Sequence, residues 1–148
     1  LVIGDGKYLD KLKELTKKLI IEKHVRFAGY IKDRGKIDEI IAKSAVAVAL
    51  YEKGNFKKNW TYYTDPGKIK TYLGAGVPVI LTNVPHNARK IQRQGCGLII
   101  NPDPKSITRA VVGLMKNERK LKQYRKNAAN YVKQFDWNII FKKNLERI

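Results

Sequence analysis

The chain has 148 residues, 43% of them hydrophobic and 30% charged, which suits one soluble globular domain with a sizeable core and leaves too short a chain for two ordinary domains. Against 13 Asp and Glu stand 31 Lys and Arg, a net charge of +18. Such a surface favours polyanions, whether nucleic acid, anionic lipid or a phosphorylated substrate.

A disordered basic tail is excluded, because the lysines are spread along the chain and interleaved with apolar periodicity. The single cysteine, Cys96, excludes a disulfide framework and a cysteine-based zinc site, and points to a reducing compartment. No run approaches the roughly 18 apolar residues of a membrane span. The chain opens at Leu1-Val2-Ile3-Gly4 without a starting Met, and reads as a piece of a longer protein.

Leu1-Val2-Ile3 predicts a buried strand that stops at Gly4-Asp5-Gly6. From Tyr8 to Glu22, apolar residues at Leu9, Leu12, Leu15, Leu19 and Ile20 follow helical spacing, with lysines on the other face. A second strand is predicted over Val25 to Ala28, ended by Gly29, and a second helix over Lys36 to Lys43. Ala45 to Leu50 is almost wholly apolar, the pattern of a strand covered on both faces.

Tyr51 to Asp65 breaks this rhythm with Gly54, three lysines and the aromatics Tyr51, Phe56, Trp60, Tyr62 and Tyr63. A connection of that length inside a compact domain is functional or disordered. Its interleaved cations and aromatics could stack bases, enter a lipid interface or close as a lid over a nucleotide. Beyond it, helices are predicted over Pro66 to Ala75, Asn87 to Gln94, Lys105 to Lys116, Glu118 to Gln134 and Asn138 to Arg147. Strands are predicted over Val77 to Leu81 and Leu98 to Ile100.

Alternating strands and helices imply an α/β fold: a Rossmann-like, doubly wound parallel sheet with helices on both faces and extra C-terminal helices. Ligands of such sheets bind at the carboxyl ends of the strands. Here those ends are Gly4 to Gly6, Gly29-Tyr30, the Tyr51 loop and Thr82 to His86.

Asp65-Pro66 has the form of a helix start, a capping side chain followed by a residue with φ already fixed. Lys68 then falls in the first turn, where a cation opposes the helix dipole by a few tenths of a kcal/mol. An anion bound there would reverse the sign, since free N–H groups and a lysine make a diphosphate cradle. In a chain this rich in lysine, an ordinary exposed cation is the other reading.

The wider pattern Pro66-x-Lys68-x-x-x-Tyr72-Leu73-x-Ala75-Gly76-x-Pro78-Val79-Ile80 resembles the nucleotide-sugar segment of the group 1 glycosyltransferases with the GT-B fold. Leu1 to Gly6 resembles that family's strand ending in Gly-Asp-Gly, and Val25 to Tyr30 its V-x-F-x-G strand. Gly95-Cys96-Gly97-Leu98-Ile99-Ile100, with Pro102 and Asp103, resembles its glycine turn, and Phe135-Asp136-Trp137 the aromatic-x-Trp before its closing helix. The likeness spans nearly the whole chain.

The resemblance implies that residues 1–148 are one Rossmann-like domain, the C-terminal donor-binding half of a two-domain protein. Its N-terminal acceptor domain would lie outside this chain. Lys68, with backbone N–H groups from Gly67 to Ile69, would hold the donor diphosphate, and Tyr30 and Ile31 would lie near the base. The family carries two Glu residues separated by seven others, the second on the ribose hydroxyls; those positions are Tyr63 and Thr71 here. A threonine in place of that carboxylate forfeits roughly 1–3 kcal/mol of hydrogen bonding, and Asp65 is the nearest acid. The Arg and Lys ligands that the family supplies upstream of its Gly-Asp-Gly strand would, like the acceptor domain, lie outside this chain.

Among the remaining candidates, His24 suits the C-terminal end of a helix, and His86 sits after a strand end where it could face a ligand. Neither histidine has the neighbouring acids of a metal site. Gly4-x-Gly6 alone is weak support for a dinucleotide site, and Cys96 between two glycines reads as a packed residue. Trp60, Tyr63 and His86 are candidate lid or acceptor contacts. No catalytic residue is assigned.

The expected activity is transfer of a sugar from a UDP- or GDP-sugar to a saccharide or lipid-linked acceptor. It is expected to retain configuration and to need no metal or cofactor, with the isolated fragment inactive. The setting implied is cytoplasmic, at the inner face of an anionic membrane. The alternatives are a non-catalytic glycosyltransferase-like binding module, or a basic domain that binds nucleic acid or anionic membranes, of which nucleic acid is the less favoured partner.

Overall fold

The computed structural model describes residues 1–52, 63 and 65–145. It divides into two compact units, Leu1–Asp38 and Glu39–Ile148. Phe56, Trp60 and Tyr62 of the aromatic loop lie outside the described residues.

In the first unit, helix α1 spans Leu9–Lys18 and a 3-10 turn spans Glu22–His24, so His24 does end a helical turn. The two predicted strands shrink to one parallel bridge between Val2 and Phe27. Val2 N–H donates to the Arg26 carbonyl and Ala28 N–H to the Val2 carbonyl, both at 2.8 Å. Extended geometry ends just beyond, where Gly4 (φ 126°) and Gly29 (φ 65°) leave the strand region. Helix α2, Arg34–Ala42, starts where the Asp33 carboxylate accepts the Lys36 N–H at 3.2 Å.

The second unit is built on a parallel three-stranded sheet of β1 (Ala47–Ala49), β2 (Val79–Thr82) and β3 (Gly97–Ile100), in that order. Its helices are α3 (Gly67–Gly74), α4 (Ala88–Arg93), α5 (Pro104–Met115), α6 (Glu118–Val132) and α7 (Trp137–Leu145). All four residues of β2 are buried. Successive side chains of a strand point to opposite faces, so β2 is covered on both. Val79, Ile80 and Leu81 have no exposed surface, and each such burial contributes about 1.5–3 kcal/mol.

Strand β1 differs from expectation. Ala49 is buried, but Val48 and Leu50 remain exposed. The apolar run reflects an edge strand with one open face, because cover is decided by neighbours that the strand's own sequence does not encode.

Helix α6 closes the core from outside: Ala128 and Tyr131 join Ile69, Leu73, Ile91 and Cys96 in one buried cluster. Arg125 fastens it further, donating to the Ser44 carbonyl at 2.7 Å and the Ala42 carbonyl at 3.0 Å. The two long helices carry side-chain caps: Asp103 accepts from Ser106 N–H (2.8 Å) and Asn117 from Lys120 N–H (2.9 Å). Gly97 of the glycine turn lies where β3 crosses close to β2, and a Cβ there would collide with the Val79 carbonyl oxygen.

Candidate functional site

The carboxyl ends of β1 and β2 meet at Tyr51 and Thr82. The buried Thr82 hydroxyl accepts the Tyr51 N–H at 2.9 Å and donates to the Tyr51 carbonyl at 2.8 Å. This pair of hydrogen bonds to one residue fixes where the chain leaves β1. The Tyr51 ring packs against the core, and its phenol is buried without a hydrogen-bond partner among the described residues. Burial, helped by the nearby Tyr72 phenol, pushes its pKa up to about 12, so the group stays protonated and keeps a donor to offer.

Helix α3 points its N-terminus at the same place. Pro66, not Asp65, is its cap residue, with φ −64° and no side-chain cap bond. The expected Asp65 cap is therefore absent. That carboxylate instead accepts from Asn87 Nδ2 at 2.9 Å and pairs with the Lys70 ammonium. A charged partner and an amide donor outcompete a backbone N–H for it. Lys70 also sits over the Phe135 ring, 4.6 Å from its centroid.

Lys68 is exposed, and its ammonium lies 5.4 Å from the centroid of the Tyr51 ring. Such a contact is worth about 0.5–1 kcal/mol at an exposed site. It directs the cation from the first turn of α3 toward the carboxyl end of β1. Among the described residues, a Cβ at Gly67 would meet nothing within 4 Å. This N-terminus, which no side chain caps among the described residues, carries the positive end of the helix dipole, and Lys68 adds a full charge beside it.

The other predicted residues are distributed as follows. Ile69 is fully buried, and its N–H donates to the Pro66 carbonyl at 3.0 Å. Thr71, on the next turn, spends its hydroxyl proton on the Gly67 carbonyl at 3.2 Å. Tyr63 is exposed shortly before Asp65. His86 is exposed in the turn after β2, next to buried Asn87, whose Oδ1 has no hydrogen-bond partner among the described residues. Tyr30 and Ile31 belong to the first unit, between Gly29 and α2, where Tyr30 is exposed. Trp60 lies outside the described residues.

Three residues of this arrangement are missing from the sequence-derived set: Tyr51 as a placed ring, Thr82 and Asn87. The signals for Thr82 are its place at the carboxyl end of a predicted strand and a hydroxyl that closes an otherwise wholly apolar run. The thiol of Cys96 is buried in the core and pushed up to about 11 by that burial, which agrees with a packing residue.

Residues 1–117 match the family described as "Glycosyl transferases group 1". This chain belongs to that family. No curated protein sequence matches the chain. Among solved structures, it is similar to WaaG, a glycosyltransferase involved in lipopolysaccharide biosynthesis, at 21% identity and a TM-score of 0.71, over 91% of this chain and 34% of that one. A sucrose-phosphate synthase from Thermosynechococcus elongatus gives 19% identity and a TM-score of 0.67, over 93% and 33% of the two chains. Anabaena Alr3699/HepE, solved in complex with UDP, gives 16% and 0.71, over 99% and 40%.

These likenesses bear on fold, and the fold of this group 1 chain is Rossmann-like α/β of the GT-B kind. The chain spans between a third and two fifths of the length of those structures.

Proposed function

We propose that this chain is the donor-binding half of a two-domain GT-B glycosyltransferase, holding the diphosphate of a UDP- or GDP-sugar at the N-terminus of α3. The observation that carries this reading is the Lys68 ammonium, held by the Tyr51 ring near the carboxyl ends of β1 and β2 beside a helix start that no side chain caps among the described residues. The complex of HepE with UDP supports a nucleotide ligand for this fold.

When the bond between sugar and diphosphate breaks, negative charge grows on the departing phosphate oxygens. A fixed ammonium and a helix dipole lower that barrier without reorganising. In this reading the Gly67 and Lys68 N–H groups hold the same oxygens, whereas the Ile69 N–H donates to the Pro66 carbonyl. Tyr63 and His86 flank the site as candidate acceptor contacts, with Trp60 as a candidate lid residue. The acceptor is a saccharide or lipid-linked saccharide, bound by an N-terminal domain outside this chain, so residues 1–148 alone bind donor without turning it over. Transfer with retention, without a metal, at the cytoplasmic face of an anionic membrane completes the reading.

One observation favours a second reading, a glycosyltransferase-like module that binds no donor. Where a carboxylate would take the ribose, Thr71 is turned back on its own helix. Titration calorimetry with UDP, GDP and a short DNA duplex separates the two. Saturable binding of one nucleotide, weakened by Lys68→Ala, supports the donor site. Binding to DNA alone with a steep salt slope, or to none of the three, overturns it.

A further inference from the structure

We infer that Asp65 and Asn87 are positioning residues of the donor site, their hydrogen bond holding the start of α3 so that Lys68 meets phosphate. The role rests on the donor reading above and deepens it. Asp65 immediately precedes Pro66, the cap residue of α3, and stands three residues before Lys68. Its carboxylate accepts from Asn87 Nδ2 at 2.9 Å, across 22 residues of chain. Asn87 makes a firm post. It is 9% exposed, and its carbonyl accepts the N–H of fully buried Ile91, on α4, at 3.0 Å.

The chemistry of the two side chains fixes which way the Asn87 amide faces. An ionised carboxylate only accepts, so Nδ2 must point at Asp65 and Oδ1 away from it. That Oδ1 is buried and has no hydrogen-bond partner among the described residues. A buried acceptor without a donor is a standing cost, which an apolar side chain of like shape would avoid. Packing alone therefore does not account for an asparagine here; holding Asp65 does.

Asp65 needs holding because of where it stands. A free carboxylate there could pair with Lys68 or take the first-turn N–H groups, in either case competing with phosphate. Asn87 and the Lys70 ammonium occupy it instead. Lys70 is itself seated 4.6 Å from the centroid of the Phe135 ring, in the 3-10 turn Lys133–Phe135. Burial first, then the charges of Cys96 and Asp65, raise the pKa of the Tyr131 phenol, which sets the carboxylate near α6 as well. Asp65 thus ties the start of α3 to α4 and to the end of α6, and leaves Lys68 to the Tyr51 ring.

The experiment is a reciprocal exchange, read by calorimetry with UDP and GDP and by hydrogen exchange of the Ile69 amide, which bonds the Pro66 carbonyl. Asn87→Asp alone sets carboxylate against carboxylate. It is expected to weaken nucleotide binding by roughly tenfold, and to speed Ile69 exchange by about as much relative to the amides of β2. Asp65→Asn/Asn87→Asp restores one donor and one acceptor with the direction reversed, and should recover most of both losses. Asp103→Ala, which lowers stability through the cap of α5, should leave nucleotide binding as in the wild type.

Nucleotide affinity or Ile69 exchange that Asn87→Asp leaves unchanged overturns the inference, even where the melting temperature falls. So does a double variant no better than Asn87→Asp, since the two side chains would then act separately. A wild-type chain that binds neither nucleotide removes the donor reading itself, and the role of Asp65 and Asn87 falls with it. Wild-type binding that no variant alters removes this role alone.

Discussion

Thr82 holds Tyr51 by both of its backbone polar groups, across 31 residues of chain, with a single buried hydroxyl. The consequence is that the base of the proposed phosphate site is set by β2, a strand buried at every position. Thr82→Val keeps the shape and removes both bonds. It is expected to cost about 1–3 kcal/mol, because it leaves the Tyr51 backbone groups unpaired. Urea unfolding should read that loss, and UDP or GDP affinity should fall with it as the ring shifts under Lys68.

Lys68→Ala should separate binding from stability. Losing a charge-assisted bond to phosphate weakens nucleotide binding by roughly 10- to 100-fold. Thermal stability should change little or fall slightly, since the lost contact with the Tyr51 ring is partly offset by removing a cation that opposes the dipole of α3. Calorimetry and a melting curve on the same preparation check both halves. A variant that binds nucleotide as the wild type does would remove Lys68 from the site.

Tyr51→Phe deletes a buried hydroxyl that has no partner among the described residues. Stability at neutral pH should be unchanged or improved. In the wild type the folded phenol titrates near 12 against 10.0 for an ordinary tyrosine. Its neutral form is thus favoured by folding: that contribution is complete below pH 10 and is lost as pH rises through 12. The variant should lose less stability across this window, as followed by circular dichroism in alkaline urea. If the hydroxyl also meets the nucleotide, the same variant binds it more weakly at neutral pH.

At the acid end, the Ser106 bonds hold the Asp103 carboxyl below its ordinary value, with the Lys105 N–H and the Arg109 charge helping. A depressed folded pKa means stability present above the unfolded value of 3.8 and lost as pH falls through the folded one. Asp103→Ala should melt lower than the wild type at pH 7 and lose less than it does on acidification below about pH 4. Paired melting curves at the two pH values test this.

Much of the fold is legible in the sequence because local patterns decide it. Helical spacing marks every long helix to within a few residues, and the buried strand β2 reads directly from its apolar run. Local pattern fails where a distant neighbour chooses. The Asp65-Pro66 pair has the form of a capped helix start, yet Lys70 and Asn87 draw the carboxylate away. Val48 and Leu50 look like core, but what covers a strand is a tertiary matter.

The site divides in the same way. Lys68 stands out in the sequence through the pattern around Pro66, and its proposed role rests on that pattern together with its place over the Tyr51 ring. Its pairing with Tyr51 depends on the register of β1 with β2, which brings residues 17 apart to one edge. The glycines around Cys96 are recognisable as a motif, and the close passage of β3 by Val79 supplies a physical reason for Gly97.

The match to the family ends at residue 117, one residue before α6 begins, whereas the hydrophobic cluster needs Ala128 and Tyr131 from that helix. The stretch marked by common descent is therefore shorter than the stretch that keeps water out. A protein trimmed at the family boundary would be left without its outer wall, and Cys96 would become open to thiol reagents.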